Sequence, residues 1–286
     1  MKMKGFIMNI KVLIENTSSS DLTAEHGLSL FIQHNHKSYL LDGGQSGAFL
    51  ENARKMNIPV TGTDYCVLSH GHYDHAGGFL SYLKENPNGK IHAMKQAKAD
   101  YYSGASGNIH EIGIPKEILD NYESSFIFIE EITILDTGVY LIPHSTVGLE
   151  EIGKRTKLYK QQNGELLPDD FSHELSLVFD TTFGLVIFNS CSHGGIKNII
   201  EEVKFALPEK EIYAFLGGLH MRGLSDGEEY CTFSEEEVKE IADYLKEAGI
   251  KKLYTGHCTG KPGFQLLKKY LGETVDTLTT GKEITL

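Results

Sequence analysis

The sequence lacks long apolar runs and is poor in basic residues. No stretch approaches the ~18 apolar residues of a membrane-spanning helix, and residues 1–6 contain too short an apolar run for a signal peptide. Lys and Arg number 27 against 39 Asp and Glu, so the formal net charge is −12. An acidic chain binds nucleic acid and anionic membranes poorly, and we expect neither as a partner.

Cysteine pairs and common nucleophile motifs are also missing. The four cysteines, Cys66, Cys191, Cys231 and Cys258, lie far apart and form no C-x-x-C pair. This spacing predicts reduced thiols and a cytoplasmic protein without structural disulfides. The sequence has no G-x-S-x-G elbow for a nucleophilic serine and no G-x-x-x-x-G-K-[ST] phosphate loop. These absences argue against catalysis by a serine nucleophile of that type and against nucleotide binding by a phosphate loop.

The most informative segment is residues 69–78, which read Ser-His-Gly-His-Tyr-Asp-His-Ala-Gly-Gly. The apolar residues 65–68 before it predict a buried strand, and Phe79, Leu80 and Leu83 after it predict a helix. Ligand sites gather at the carboxyl ends of strands in α/β proteins.

The spacing within this segment predicts metal binding. On an extended backbone His70 and His72 point to the same side and reach one cation, whereas Asp74 and His75 follow a turn and face a second cation. Imidazole and carboxylate suit zinc, manganese or iron. We therefore expect one or two divalent ions, with zinc the first choice.

The segment resembles the signature of the metallo-β-lactamase superfamily, and further motifs appear in the expected order. They resemble the branch of metal-dependent hydrolases that includes dihydropterin synthase-like enzymes of methanopterin assembly. The additional matching segments are residues 15–17, 24–29, 41–44, 190–194, 217–220 and 255–260.

The resemblance implies an α/β fold of one specific architecture. Local patterns alone predict alternating strands and helices, including a helix with a capping box from Ser234 to Glu237 that ends at Gly249. The resemblance adds a four-layer αββα sandwich over a single domain, residues 1–286. It also implies an insertion or cap at about residues 95–170, where residues 148–170 look charged and irregular.

By the same resemblance, His257 and His193 complete the metal ligands. Many members carry a bridging aspartate in a Gly-Asp pair where this chain has Ser190-Cys191. Cys191 is therefore either a thiolate ligand or a small buried thiol. His173 competes with His193 for the first metal, and we rank His193 higher because the Ser-Cys-Ser-His run looks like the branch's own motif.

Three further residues are assigned lesser roles. Asp42 looks like the acid that orients a ligand histidine. His26 and His220 lie in loops that resemble pocket-lining segments, and we expect them to face substrate.

The expected chemistry is hydrolysis by metal-activated water, with Asp74 binding a metal and orienting the water or carrying its proton. The first substrate choice is a small anionic phosphoester or phosphodiester. One alternative is a condensing enzyme for a pterin and a ribofuranosyl-aminobenzene phosphate, in which Tyr101, Tyr102 or Phe171 stacks on the flat ring. Another is a metal-containing sensor with little turnover.

Overall fold

The structure is a computed structural model that describes residues 8–286, so residues 1–6, for which we expect no signal peptide, lie outside the described part. Within it we number the strands and helices in chain order. The strands are β1 Asn9–Ile14, β2 Ser29–His34, β3 Lys37–Leu41, β4 Tyr65–Val67, β5 Ile91–Met94, β6 Tyr101–Ser103, β7 His110–Glu111, β8 Phe126–Ile129, β9 Thr133–Asp136, β10 Val139–Pro143, β11 Leu158–Gln162, β12 Glu165–Pro168, β13 Leu175–Thr181, β14 Gly184–Phe188, β15 Ile212–Leu216, β16 Arg222–Ser225, β17 Glu228–Cys231, β18 Lys252–Thr255, β19 Val275–Thr277 and β20 Glu283–Thr285. The helices are α1 Ala48–Lys55, α2 Tyr73–Ala76, α3 Phe79–Glu85, α4 Lys116–Tyr122, α5 Glu150–Thr156, α6 Ile196–Ala206, α7 Glu235–Glu247 and α8 Gly260–Leu271.

The chain divides into two compact units. The first contains the described residues up to 99, residues 112–130 and residues 279–286, and the second contains residues 100–111 and 131–278. Each unit has its own seven-stranded sheet and its own helices. The prediction of one domain over residues 1–286 with an insertion at about 95–170 stays a prediction.

The sheet of the first unit has the strand order β20-β1-β2-β3-β4-β5-β8. Strands β1 to β3 pair antiparallel, and β3, β4, β5 and β8 run parallel. Parallel neighbours require crossover connections, which α1, α3 and α4 supply. Their apolar faces, such as Phe49 of α1, Phe79 of α3 and Ile118 of α4, pack with sheet residues in one core. The predicted strand and helix on either side of the His-Asp segment are confirmed as β4 and α3.

The main sheet of the second unit has the order β19-β18-β15-β14-β13-β10-β9. Strands β14, β15, β18 and β19 run parallel and β13 pairs antiparallel with β14. The predicted capping box is present at the start of α7, where the Ser234 side chain accepts the Glu237 N–H and the Glu237 side chain accepts the Ser234 N–H. Sheets covered by helices in both units confirm the α/β class.

The segment at 148–170 is more regular than we expected from its charged sequence. Helix α5 and the hairpin of β11 and β12 occupy most of it, and β11 also pairs with β6 in a four-stranded sheet of order β12-β11-β6-β7. Strand β11 alternates poorly in hydrophobicity because most of its side chains are exposed or half-buried. A polar strand of this kind leaves little signal in the sequence. Among residues 8–286, no helix combines the length and apolar character required to cross a membrane.

Candidate metal centre

The first unit brings the four residues of the His-Asp segment together. His70, His72, Asp74 and His75 are all buried, with exposed fractions between 0 and 8%. The ring centroid of His70 lies 4.2 Å from that of His75 and 4.6 Å from that of His72, and His75 Nε2 lies 3.6 Å from Asp74 Oδ2. Buried polar groups at this density are stable only when hydrogen-bonded or bound to a cation.

Local backbone geometry explains how one short segment positions four ligand-type side chains. His72 is extended and directly precedes α2, whose first turn carries Asp74. After α2 the chain packs closely against the loop that follows β3. A Cβ atom at Gly77 would collide with the carbonyl oxygen of Gln45, and one at Gly78 with that of Gly43. The two glycines therefore allow the close approach that seats the segment.

Asp42 lies beneath this group and sets the orientation of two imidazoles. It is fully buried, and its carboxylate accepts hydrogen bonds from Ser69 N at 2.7 Å, Ser69 Oγ at 2.8 Å and His75 Nδ1 at 2.7 Å. Because the Ser69 hydroxyl proton goes to Asp42, the Ser69 oxygen accepts the Nδ1–H of His70, at 2.8 Å. Both rings then carry their proton on Nδ1 and present the lone pair of Nε2, which is the arrangement of metal-ligating histidines.

His26 lies at the margin of the same group. Its Nε2 is 3.2 Å from Asp74 Oδ2, and its side chain is 41% exposed. A half-exposed imidazole beside a buried carboxylate is suited to meeting a ligand from solvent. Its predicted substrate contact stays a prediction.

In the second unit His193 lies in the loop between β14 and α6. The residue is buried, its ring stacks on Phe171 with centroids 5.2 Å apart and planes 11° from parallel, and the His220 ring lies 4.4 Å away. Its backbone N–H donates to the buried carboxylate of Glu174. The loop is therefore held at both the main chain and the ring.

His173, the competitor of His193, has a carboxylate partner of its own. Its Nε2 lies 3.0 Å from Asp169 Oδ2, both side chains are fully buried, and its ring lies 3.9 Å from that of Tyr101. Sequence reasoning missed Asp169, although the spacing of an acid four residues before a histidine was a usable signal.

Cys258 is a second residue of this region to which the sequence assigns no role beyond its position next to His257. Its Sγ accepts the N–H of His220 at 3.3 Å and lies 3.5 Å from the carbonyl oxygen of Cys191. Burial raises the pKa of the Cys258 thiol, but hydrogen bonding with Cys191 and His220 and the charge of His257 bring that pKa well below its ordinary value.

Backbone strain coincides with these positions. Non-glycine residues with positive φ are uncommon and collect at functional sites. Most such residues in the described chain lie in turns. The others are residues discussed above or their direct neighbours: Asp42 at 61°, Phe171 at 53°, Ser192 at 53°, His220 at 48° and His257 at 49°.

The aromatic residues expected to stack on a flat ring are mostly unsuited to it. Tyr101 and Phe171 are 1% and 0% exposed, and their rings already pack on His173 and His193. That expectation is wrong for these two residues, because the neighbouring imidazoles occupy their faces. Tyr102 is half-buried and keeps an accessible side chain.

The donor set of the first unit fits a divalent cation. Three imidazoles and one carboxylate converge in a buried position, and a hydrogen-bonded network orients the Nε2 atoms of His70 and His75. Imidazole and carboxylate are the usual zinc ligands of catalytic sites.

Comparison with known proteins gives a consistent result. A family model described as the metallo-beta-lactamase superfamily matches residues 22–152. The solved structure of Tm1679, described as a metal-dependent hydrolase of the beta-lactamase superfamily, is 30% identical, with a TM-score of 0.81, over 97% of this chain and 98% of that one.

Two proteins of Methanocaldococcus jannaschii are similar over most of their length. An uncharacterized protein is 34% identical over 88% of this chain and 90% of its own. The other is 28% identical over 98% of both chains and is named 7,8-dihydropterin-6-methyl-4-(beta-D-ribofuranosyl)-aminobenzene-5'-phosphate synthase.

Proposed function

This chain belongs to the metallo-β-lactamase superfamily, and from that premise we propose that it is a metal-dependent hydrolase acting on a small anionic phosphoester or phosphodiester. The observation that carries the proposal is the buried His-Asp group, in which Asp42 orients His75 directly and His70 through Ser69. A metal-ligating histidine usually donates its second ring N–H to a carboxylate, whereas a histidine that only packs in a core does not need this partner.

The proposed roles follow the chemistry of each side chain. One or two divalent ions, zinc first and manganese or iron as alternatives, would be held by His70, His72, Asp74, His75, His193 and His257, with Cys191 or His173 as additional ligands. A bound divalent cation supplies Lewis acidity, which lowers the pKa of water toward ~7. Asp74 would also orient the water or carry its proton, and His26, 3.2 Å from Asp74 Oδ2, would contact the substrate together with His220.

A phosphorylated substrate is supported by two considerations. The synthase that is 28% identical over 98% of this chain is named for a ribofuranosyl phosphate compound. A divalent ion is also the largest local charge in a site and attracts an anion even though the chain is acidic overall. We therefore expect the phosphorus atom of a phosphate ester at the reacting position.

The same relative supports a second candidate function, the condensation of a pterin with a ribofuranosyl-aminobenzene phosphate. Of the three aromatic residues expected to stack on the pterin ring, Tyr102 keeps a partly exposed side chain. We rank this candidate below hydrolysis because the other two rings expected to stack are buried.

We also propose a cytoplasmic location. The four cysteines all lie in the described part of the chain and all are free thiols. Free thiols are typical of a reducing compartment.

The test combines metal analysis with a substrate screen. We expect the purified protein to contain zinc, manganese or iron and to hydrolyse a generic phosphomonoester or phosphodiester. The His72→Ala variant should lose both the metal and the activity, whereas His110→Ala, which changes an exposed histidine of β7, should keep both.

Full activity in a metal-free preparation would contradict the proposal. Turnover only of a pterin with an aminobenzene ribofuranosyl phosphate would favour the second candidate, and tight metabolite binding without turnover would favour a sensor.

A further inference from the structure

We propose that Glu174, His144 and Glu202 form a buried positioning relay that fixes the His193 loop for metal binding. The inference rests on the proposed function, in which His193 is a ligand. The relay joins three elements of the second unit: the residue before β13, the segment after β10 and helix α6.

The first step of the relay is the contact of Glu174 with the loop. The Glu174 carboxylate is fully buried, and its two oxygens accept the backbone N–H groups of His193 at 3.0 Å and Gly194 at 3.1 Å. A carboxylate that accepts two neighbouring N–H groups sets the direction of the peptide between them. The Glu174 side chain therefore fixes the orientation of the peptide group between His193 and Gly194.

His144 is the second step. Its Nε2 donates to the Oε2 of Glu174, and its Nδ1 donates to Glu202 Oε2 at 2.7 Å. Gly194 packs on this imidazole so closely that a Cβ atom there would lie 2.6 Å from His144 Nε2. Any larger residue at position 194 would push the loop off the ring.

Glu202 is the third step and anchors the relay on α6. Its Oε1 accepts Ser145 N at 2.9 Å, Thr146 N at 2.8 Å and Thr146 Oγ1 at 2.6 Å. The carboxylate thereby fixes the segment that carries His144. The other oxygen of the same carboxylate, Oε2, accepts the Nδ1–H of His144 and so sets the orientation of the imidazole.

The charges of the relay are mutually stabilised. Burial lowers the pKa of His144, but the charges and hydrogen bonds of Glu174 and Glu202 raise it to about 10. Burial raises the pKa of Glu174, but His144 and the two loop N–H groups bring it below its ordinary value. One imidazolium between two carboxylates is stable when buried because each charge has charged, hydrogen-bonded partners.

The ring of His193 is held from the same turn that carries Glu174. Phe171 stacks on the ring with planes 11° apart, and Glu174 N donates to Phe171 O at 2.9 Å. Residues 171–174 therefore control both the main chain and the imidazole plane of His193. This double control is what a metal ligand needs and a solvent-facing loop histidine does not.

The test uses the full chain with zinc alone as the probe, and two measurements. The first is hydrogen exchange of the His193 and Gly194 amides in metal-free protein, and the second is zinc affinity by competition with a chelator. In Glu174→Gln one amide N–H faces the side-chain NH₂ instead of an oxygen. We expect faster exchange at these two amides and zinc binding weaker by about 10- to 100-fold.

Matched variants separate the relay from general damage. Glu201→Gln changes the neighbouring carboxylate of α6, which contacts Tyr244 and Lys204 on the surface, and should behave as wild type in both measurements. Glu202→Gln keeps the Ser145 and Thr146 contacts and alters only the face toward His144. It should shift both readouts in the same direction by a smaller factor, and it decides the matter if Glu174→Gln does not fold.

Each outcome has a defined meaning. Unchanged exchange at both amides in a folded Glu174→Gln protein overturns the relay. Faster exchange with wild-type zinc affinity overturns its link to metal binding. If the wild-type protein binds no divalent ion, the proposed function fails, and the metal-free exchange measurement still decides whether Glu174 fixes the loop.

Discussion

At the residue scale, the most consequential side chain that is not itself a predicted ligand is Asp42. It combines full burial, a positive φ of 61° and three accepted hydrogen bonds. Burying a carboxylate and holding its backbone at positive φ both cost free energy, and the three hydrogen bonds that Asp42 accepts offset this cost. Because it contacts both Ser69 and His75, the conformation of the segment that follows β4 depends on the Asp42 carboxylate.

The substitution Asp42→Asn tests this dependence. Asparagine tolerates positive φ, so the backbone is preserved, but its NH₂ group faces donors and cannot accept the His75 proton. We expect zinc affinity to fall by about 10- to 100-fold in a chelator competition. Asp64→Asn, which changes an exposed carboxylate between Lys37 and Ser38, is the control and should bind zinc as wild type. Equal affinities for the two variants would show that His75 needs no orienting acid.

At the scale of elements, the position of the His-Asp segment depends on close packing of α2 and α3 against the loop after β3. Gly78 has φ −65°, which any residue adopts, so its importance is purely steric. A Cβ atom there would collide with the carbonyl oxygens of Gly43 and Ser46. Backbone atoms on both sides cannot move without shifting Asp42 or Asp74, which lie within a few residues.

Gly78→Ala should therefore reduce both stability and metal binding. Overpacking of this kind typically costs about 1–3 kcal/mol in the free energy of unfolding. Gly62→Ala is a matched control because nothing lies within 4 Å of the Cβ position there. Its effect should be neutral or stabilising by up to about 1 kcal/mol, since alanine restricts the unfolded chain. Urea unfolding measures the stability of the two variants, and a Gly78→Ala protein as stable as Gly62→Ala would contradict the packing argument.

At the scale of the whole molecule, what the sequence could predict depends on how local each signal is. The His-Asp segment, its flanking strand and helix, and the capping box of α7 are contiguous patterns, so they were read directly. The Glu174–His144–Glu202 relay was not, because its members are 30 and 58 residues apart and each looks ordinary in its own segment. Cys258 was missed for the same reason, because its contacts with His220 and Cys191 span 38 and 67 residues of sequence. Asp169 is different: it lies only four residues before His173, and this local signal was left unused.

Metal binding should also be visible in the stability of the whole chain. A cation that binds the folded state alone adds about 2.7 kcal/mol to the free energy of unfolding when its free concentration is 100 times its dissociation constant. The buried imidazoles predict this gain for zinc. Magnesium prefers six oxygen ligands, so it should give little or none at the same concentration. Urea unfolding with either ion or with a chelator measures the difference. Equal stabilisation by both ions would show that the histidines do not select the metal, and no stabilisation by zinc would show that the folded chain does not bind it.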